Sequence, residues 1–260
     1  MTSRVARFRG RLRRKEALLG TWIKTPSPDV CEILAASALD VLCLDAEHAA
    51  FDRERLDACL RVLSAADMPS LVRVPDHGHA YIQAALDGGA TGIVVPHVCS
   101  VAQATALVRA CHYGLGGRGF SGSTRAAGFG QIPMAEHLRR SSEQTTLVAQ
   151  IEDLEGLDAV AQIACVESLD AMFAGRIDLT VALGEDKPDA LAVTSAVDRI
   201  CAAGVCSRAA VGMFISDLSE LPRWRKAGAS LFLLESDQYF LRQGAVTLRE
   251  KFSIHGGDQS

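Results

Sequence analysis

Eight short apolar runs punctuate the chain, spaced so that a helix fits between most neighbours. They lie at Gly20–Lys24, Val41–Asp45, Ser70–Val74, Gly92–Pro96, Thr146–Ile151, Ala171–Ile177, Ala210–Ile215 and Leu231–Glu235. They are continuous rather than alternating, as strands covered on both faces should be. The segments between them repeat apolar residues at helical spacing. Asp29–Ser37 carries Val30, Ile33 and Leu34, and Arg53–Ala66 sets Leu56, Leu60 and Leu63 on one stripe. Val101–Ala110, Leu157–Val166 and Ala190–Ala203 read the same way. Eight β–α repeats predict an α/β fold, the (β/α)8 barrel, whose active sites open at the carboxyl ends of the strands. A doubly wound open sheet would want a Gly-rich phosphate turn after its first strand, and Thr25-Pro26-Ser27-Pro28 is not one. A single barrel domain covering residues 1–260 is expected, since barrels of about 250 residues are ordinary.

Two segments break the rhythm. Residues 1 to about 19 form a basic extension with Arg4, Arg7, Arg9, Arg11, Arg13, Arg14 and Lys15. The whole chain carries a net charge of -4, so a solvated helical face is expected there rather than a nucleic-acid arm. Tyr113–Pro133 is long and Gly-rich, with Arg118 and Arg125 inside it. Such loops in compact domains are usually functional or disordered. This one leads into the strand before Glu152.

Composition narrows the class. No apolar run is long enough to span a membrane, and no signal peptide is evident. The eight cysteines include no C-x-x-C pair and mostly sit in apolar patterns. Reduced, buried thiols in a cytoplasmic protein are therefore expected rather than a disulfide framework.

The strand ends carry the candidate chemistry. Gln150-Ile151-Glu152 closes one run, and Gly175-Arg176-Ile177-Asp178-Leu179 closes the next. Carboxylates at the ends of neighbouring strands, Glu152 and Asp178, suit a hard divalent cation that keeps open positions for a 2-oxo acid. Asp45 precedes His48 in Leu44-Asp45-Ala46-Glu47-His48. The pair suggests a carboxylate orienting a general base, or else a buried pair that only holds a loop. Arg73, inside an apolar strand, needs an anionic partner. That partner is either a substrate carboxylate or enolate held by the planar guanidinium, or Asp45 or Glu47 in a salt bridge. Trp22 either walls the site or packs in the core. His97 reads as scaffold, and His77-Gly78-His79 as a turn into a helix rather than a metal pair. Of the lysines only Lys24 lies near a strand end, which argues against Schiff-base catalysis.

From Gly20 to Gly244 the chain resembles the HpcH/HpaI aldolase/citrate lyase family. The resemblance rests on Gly20-Thr21-Trp22, on Leu44–His48, on Leu71-Val72-Arg73-Val74-Pro75 and on Gly89–Pro96. It continues through Gly117-Arg118-Gly119, Gln150–Glu152, Gly175–Leu179 and Ser236-Asp237. It implies a barrel whose last helix is exchanged between paired subunits, as a dimer or trimer of dimers. It also implies Mg2+ or Mn2+ held by Glu152 and Asp178, and a pyruvate-like donor held by Arg73 and positioned by Gln150. The implied base is His48 with Asp45. Gly175 and Arg176, in the same stretch as Asp178, join the substrate side. The implied reaction is reversible aldol cleavage of a 4-hydroxy-2-oxo acid to a 2-oxo acid and an aldehyde.

The chain departs from the family pattern in places. Gly175-Arg176-Ile177-Asp178-Leu179 stands where many relatives have Gly-Pro-Ala-Asp-Leu. Asp45–Ala50 stands for Asp-Gly-Glu-His-Ala-Pro, and Tyr113-Gly114-Leu115 for Tyr-Pro-Pro. Arg176 is therefore a candidate for a further substrate carboxylate. Condensation of oxaloacetate with acetyl-CoA to citrate, or cleavage of a CoA ester, is the alternative chemistry. A barrel kept only for binding or regulation fits poorly, because the metal, Arg and His positions are all occupied.

Overall fold

The computed structural model describes residues 3–256. Eight parallel strands close into one barrel in sequence order. They are β1 (Leu18–Ile23), β2 (Val41–Asp45), β3 (Ser70–Arg73), β4 (Gly92–Val95), β5 (Thr146–Ile151), β6 (Ala171–Ala174), β7 (Ala210–Ile215) and β8 (Leu231–Ser236). A helix, α1 (Arg4–Arg13), precedes them. Around the barrel run α2 (Pro28–Ala35), α3 (Arg53–Ala65), α4 (His79–Asp87), α5 (Val101–Cys111), α6 (Met134–Gln144), α7 (Leu154–Asp158) and α8 (Val160–Ile163). The ring continues with α9 (Arg176–Ala182), α10 (Leu191–Val205), α11 (Leu221–Ala227) and α12 (Asp237–Gly256). None of the described helices is long and apolar enough to cross a membrane.

Local signals set the helix starts. The non-phosphate turn after β1 is a helix cap: the Ser27 hydroxyl accepts from Val30 N–H, and Pro28 takes the first turn. Asp52 caps α3 through Arg55 N–H at 2.8 Å. His77-Gly78-His79 does lead into a helix, α4, and the His77 ring bonds the Pro96 carbonyl at 2.7 Å.

Two apolar layers hold the barrel. Leu42, Leu44, Val72, Ile93, Leu147 and Met172 face the helices. Leu18, Trp22, Cys43, Leu71, Val94, Val148 and Phe173 fill the interior. Phe8 and Leu12 of α1 belong to that interior cluster. The basic amino end is thus a plug for the amino-terminal end of the barrel, not a solvated face. Arg9 is only 4 % exposed. It donates to Asp170 at 2.8 Å, and Arg13 reaches the same oxygen at 2.6 Å. The helix is also shorter than expected, since β1 already begins at Leu18.

Two further expectations are corrected. The run Ala171–Ile177 is not one strand: β6 stops at Ala174, Gly175 turns the chain, and Arg176 starts α9. Asp178 therefore sits in the first turn of a helix. Leu157–Val166 is two short helices broken at Ala159 rather than one. The Gly-rich loop follows α5 and so lies at the amino-terminal end of the barrel, away from the strand ends. It is tied down there by Arg118 to Asp87 at 3.0 Å and by Arg125 to Asp57 at 2.9 Å. Five of the eight cysteines are buried, Cys99 is half-buried, and Cys165 and Cys206 are exposed; all are free thiols.

Candidate active site

At the carboxyl ends of the strands lies a cavity of about 250 Å³. Trp22, Lys24, His48 and Arg73 line one side, and Gln150, Gly175, Arg176 and Asp178 the other, with Phe173 and Phe214 completing the wall. Trp22 serves both candidate roles. It is buried with its ring edge-on to Phe173, and the Arg73 guanidinium lies 4.4 Å from its ring centre. That distance is within cation–π range.

Arg73 and Asp45 are partners across neighbouring strands, because the β2–β3 register sets them side by side. Arg73 Nε donates to Asp45 Oδ1 at 3.0 Å and Nη2 to Oδ2 at 2.8 Å. Arg73 Nε also lies 3.2 Å from Glu47 Oε2. Burial would push the Asp45 carboxyl up. The hydrogen bonds and charge of Arg73 outweigh it, helped by His48 N–H and Lys24, and hold Asp45 below the usual carboxylate range.

The expected Asp45–His48 dyad does not form in the anticipated way. Asp45 Oδ1 accepts from the His48 backbone N–H at 3.1 Å, which shapes the loop rather than orienting the ring. The carboxylate nearest the imidazole is Glu47, with Oε2 3.7 Å from His48 Nε2. The physical reason is register: Arg73 takes both Asp45 oxygens from the next strand. More than half of the His48 side chain is exposed, so the ring stands free at the rim.

Glu152 is buried beside the cavity. Its Oε1 accepts from His97 N–H at 2.8 Å, and its Oε2 from Gln150 Nε2. Burial, with a smaller push from the Asp178 charge, raises its carboxyl to about 7 against the pull of those two hydrogen bonds. Gly175 is required here. A Cβ at that position would lie 2.5 Å from Glu152 Cβ and 2.7 Å from Oε2, so any side chain would displace the carboxylate.

Some roles shift. Arg176 lines the cavity, but Nη1 pairs with Glu220 at 2.5 Å and the guanidinium lies 5.7 Å from the Trp224 ring centre. Its charge is already neutralised. Glu47, His97 and Lys24 are site groups that the sequence reading did not assign. Glu47 was visible only as a bridge partner. Burial pushes its carboxyl up despite Arg73, His48 and His97, and its Oε2 lacks a hydrogen-bond partner. His97 adopts a left-handed backbone, φ 54°, which aims its N–H at Glu152.

Among the described residues no three His, Cys, Asp or Glu side chains converge as a metal cage. The donor set still suits one class of ion. Glu152 and Asp178 supply carboxylate oxygens, and the buried Gln150 Oε1 has no hydrogen-bond partner. Mg2+-like ions are commonly held by one or two carboxylates, with water and substrate taking the other positions.

Comparisons with known proteins give the family of the chain. Residues 18–242 match the model of the HpcH/HpaI aldolase/citrate lyase family. A hydroxypyruvate/pyruvate aldolase of Pseudomonas aeruginosa is 34 % identical over 253 residues, covering 95 % of this chain and 93 % of that protein. A 4-hydroxy-2-oxovalerate aldolase of Novosphingobium aromaticivorans is 32 % identical, covering 99 % of this chain and 100 % of that protein. The crystal structure of a family protein from Burkholderia cenocepacia J2315 superposes with a TM-score of 0.86 at 33 % identity, covering 93 % and 97 % of the two chains. That of citrate synthase SbnG superposes with a TM-score of 0.85 at 27 % identity, covering 96 % and 98 %. With its closed barrel and polar strand-end site, the chain belongs to the HpcH/HpaI aldolase/citrate lyase family and is a carbon–carbon lyase.

Proposed function

We propose that this protein is a divalent-cation-dependent aldolase that cleaves and forms 4-hydroxy-2-oxo acids. The observation that carries the reading is one cavity with Arg73 on one wall and Asp178 on the other, and Glu152 beside it. Glu152 and Asp178 would hold the cation, Mg2+ or Mn2+. When bound, it supplies Lewis-acid polarisation of the donor's keto oxygen.

The chain's own residues do the rest. A guanidinium has five N–H donors. Asp45 takes two from Arg73, leaving others for a donor oxygen that becomes an enolate. Gln150, with a free Oε1 beside Glu152, positions the donor. Trp22 and Phe173 supply an apolar wall that excludes water. His48, exposed at the rim and faced by Glu47, takes the proton from the C4 hydroxyl during cleavage. The C3–C4 bond then breaks, the aldehyde leaves, and the enolate is reprotonated to the 2-oxo acid.

Proton exchange at the methyl of pyruvate in D2O, followed by NMR with added Mn2+ or Mg2+, tests the donor half alone. Exchange that depends on the cation is expected, and its absence would overturn the reading. The likeness to a citrate synthase favours a second chemistry on the same machinery, in which oxaloacetate and acetyl-CoA condense. Release of free CoA would identify it.

The quaternary reading rests on α12. The helix packs mainly on β1 and β8 and leaves Leu241, Leu248, Phe252 and Ile254 exposed. A second copy covering this apolar face makes the protein a homo-oligomer, a dimer or a trimer of dimers. Sedimentation as a monomer at micromolar concentration would refute that. The buried free thiols suit a reducing compartment such as the cytoplasm.

A further inference from the structure

Lys24 follows the last residue of β1, and its backbone is clamped. Its N–H donates to Asp237 Oδ1 at 2.7 Å, and Thr25 N–H to Asp237 Oδ2 at 3.0 Å. The side chain runs into the cavity wall beside Trp22 and stays about one third exposed. Its ammonium lies 3.4 Å from Asp45 Oδ2, the only carboxylate within 4 Å of it among the described residues. That carboxylate already takes the Arg73 fork on both oxygens. Arg73 is shared between Asp45 and Glu47, so Lys24 balances the second carboxylate of this group. An ammonium has three N–H donors. With Asp45 the one carboxylate in reach, donors remain for a ligand in the cavity. Arg176, the cation on the opposite wall, is paired with Glu220.

Position adds direction. In the closed ring β1 stands opposite β5, the strand that leads to Glu152, with β3 and Arg73 between them. The donor belongs between Arg73 and the two carboxylates. Lys24 lines the same cavity from the end of β1, and an aldehyde entering on that side would meet its ammonium. We propose that Lys24 determines acceptor specificity by binding a carboxylate carried on the acceptor aldehyde, so that oxo-acid and semialdehyde acceptors are preferred to neutral ones. This rests on the aldolase reading.

The test compares glyoxylate and succinic semialdehyde with propanal, all with pyruvate and Mn2+. The readout is the ratio of kcat/KM for the charged acceptors to that for propanal. A hydrogen bond to a charged group corresponds to a factor on the order of 10–100. Lys24→Met is expected to lower the ratio by that factor, mainly through KM, and Lys24→Arg to restore part of it. If Lys24 only supports Asp45, all acceptors suffer alike and the ratio holds, which overturns the inference. A second measurement needs no variant. Rising salt should raise the wild-type KM for the charged acceptors and leave that for propanal unmoved, and equal salt responses would also overturn it. Absence of pyruvate exchange in the wild type would instead remove the aldolase reading, and the inference with it.

Discussion

The two ends of the barrel are built from similar residues to opposite purposes. At the amino-terminal end the charges are engaged. Asp170 takes Arg9, Arg13 and the Leu147 N–H, and Lys15 donates to the carbonyls of Gly204 at 2.7 Å and Ser207 at 3.0 Å. A hollow of about 760 Å³ opens there, three times the volume of the cavity at the other end. At the carboxyl end Glu47 Oε2 and Gln150 Oε1 are buried without hydrogen-bond partners, although Arg73 Nε lies 3.2 Å from the former, and Glu152 is pushed up to about 7. Cavity size does not mark function here. Nor do unsatisfied polar atoms alone, since Arg118 Nε, Arg125 Nε and His112 Nε2 at the amino-terminal end are also buried without hydrogen-bond partners. The carboxyl end is set apart by a cavity that brings such an atom, Gln150 Oε1, beside a carboxylate that burial pushes up.

The largest effect expected from this contrast is at Glu152. Glu152→Gln removes a charge that burial disfavours, so its melting temperature should equal or exceed that of the cation-free wild type. Turnover should fall on the order of 10³–10⁴-fold, the scale of several kcal/mol of lost charge stabilisation. Calorimetric titration with Mn2+ should show binding lost. A variant that keeps full cation affinity would refute the assignment, and a lower melting temperature would make Glu152 structural like Asp170.

Asp170→Asn should behave in the opposite way. It leaves the buried Arg9 without its anion, and breaking a buried ion pair costs about 3–5 kcal/mol. Urea denaturation should show that loss, while kcat well below the melting temperature stays at the wild-type value. A drop in kcat with unchanged stability would erase the distinction between the two ends.

The smallest effects separate His48 from Asp45. His48→Ala should slow cleavage by roughly 10²-fold, the low end for a positioned base, because the ring is exposed and held by no buried partner. Asp45→Asn should resemble an Arg73 defect and not a milder His48 defect, since its carboxylate meets Arg73 and only the backbone of His48. It should also change stability with pH. The Asp45 carboxyl is held low in the folded state, so its contribution is present above the unfolded value and lost as pH falls through the folded one. Removing Asp45 should flatten that acid limb of urea stability. An unchanged limb would mean that the Arg73 pair contributes nothing to the fold.

Much of this was legible in the sequence, for identifiable reasons. Val41–Asp45, Thr146–Ile151 and Ala210–Ile215 are strands with the bounds their apolar runs predict. β6 was over-extended because Ile177 prolongs the apolar pattern past Gly175, where the chain has already turned. The partners of charged residues were the hidden part. Asp45 and His48 are neighbours in sequence, but a short carboxylate reaches nearby backbone N–H groups readily, and its side-chain partner comes from the adjacent strand. Arg9 looked solvated because its anion lies 161 residues away. Register and long-range pairing decide such cases, and neither leaves a local trace.

That same separation puts a clock on synthesis. Phe8 and Leu12 find their burial only once the strands around them are in place, and Arg9 meets Asp170 after 161 further residues. At 5–20 residues per second this interval is on the order of 10–30 s. Through it, the first helix made is among the last to be seated, and two large apolar side chains wait in solvent beside a row of arginines. Those charges keep the waiting segment soluble before they serve as a lock.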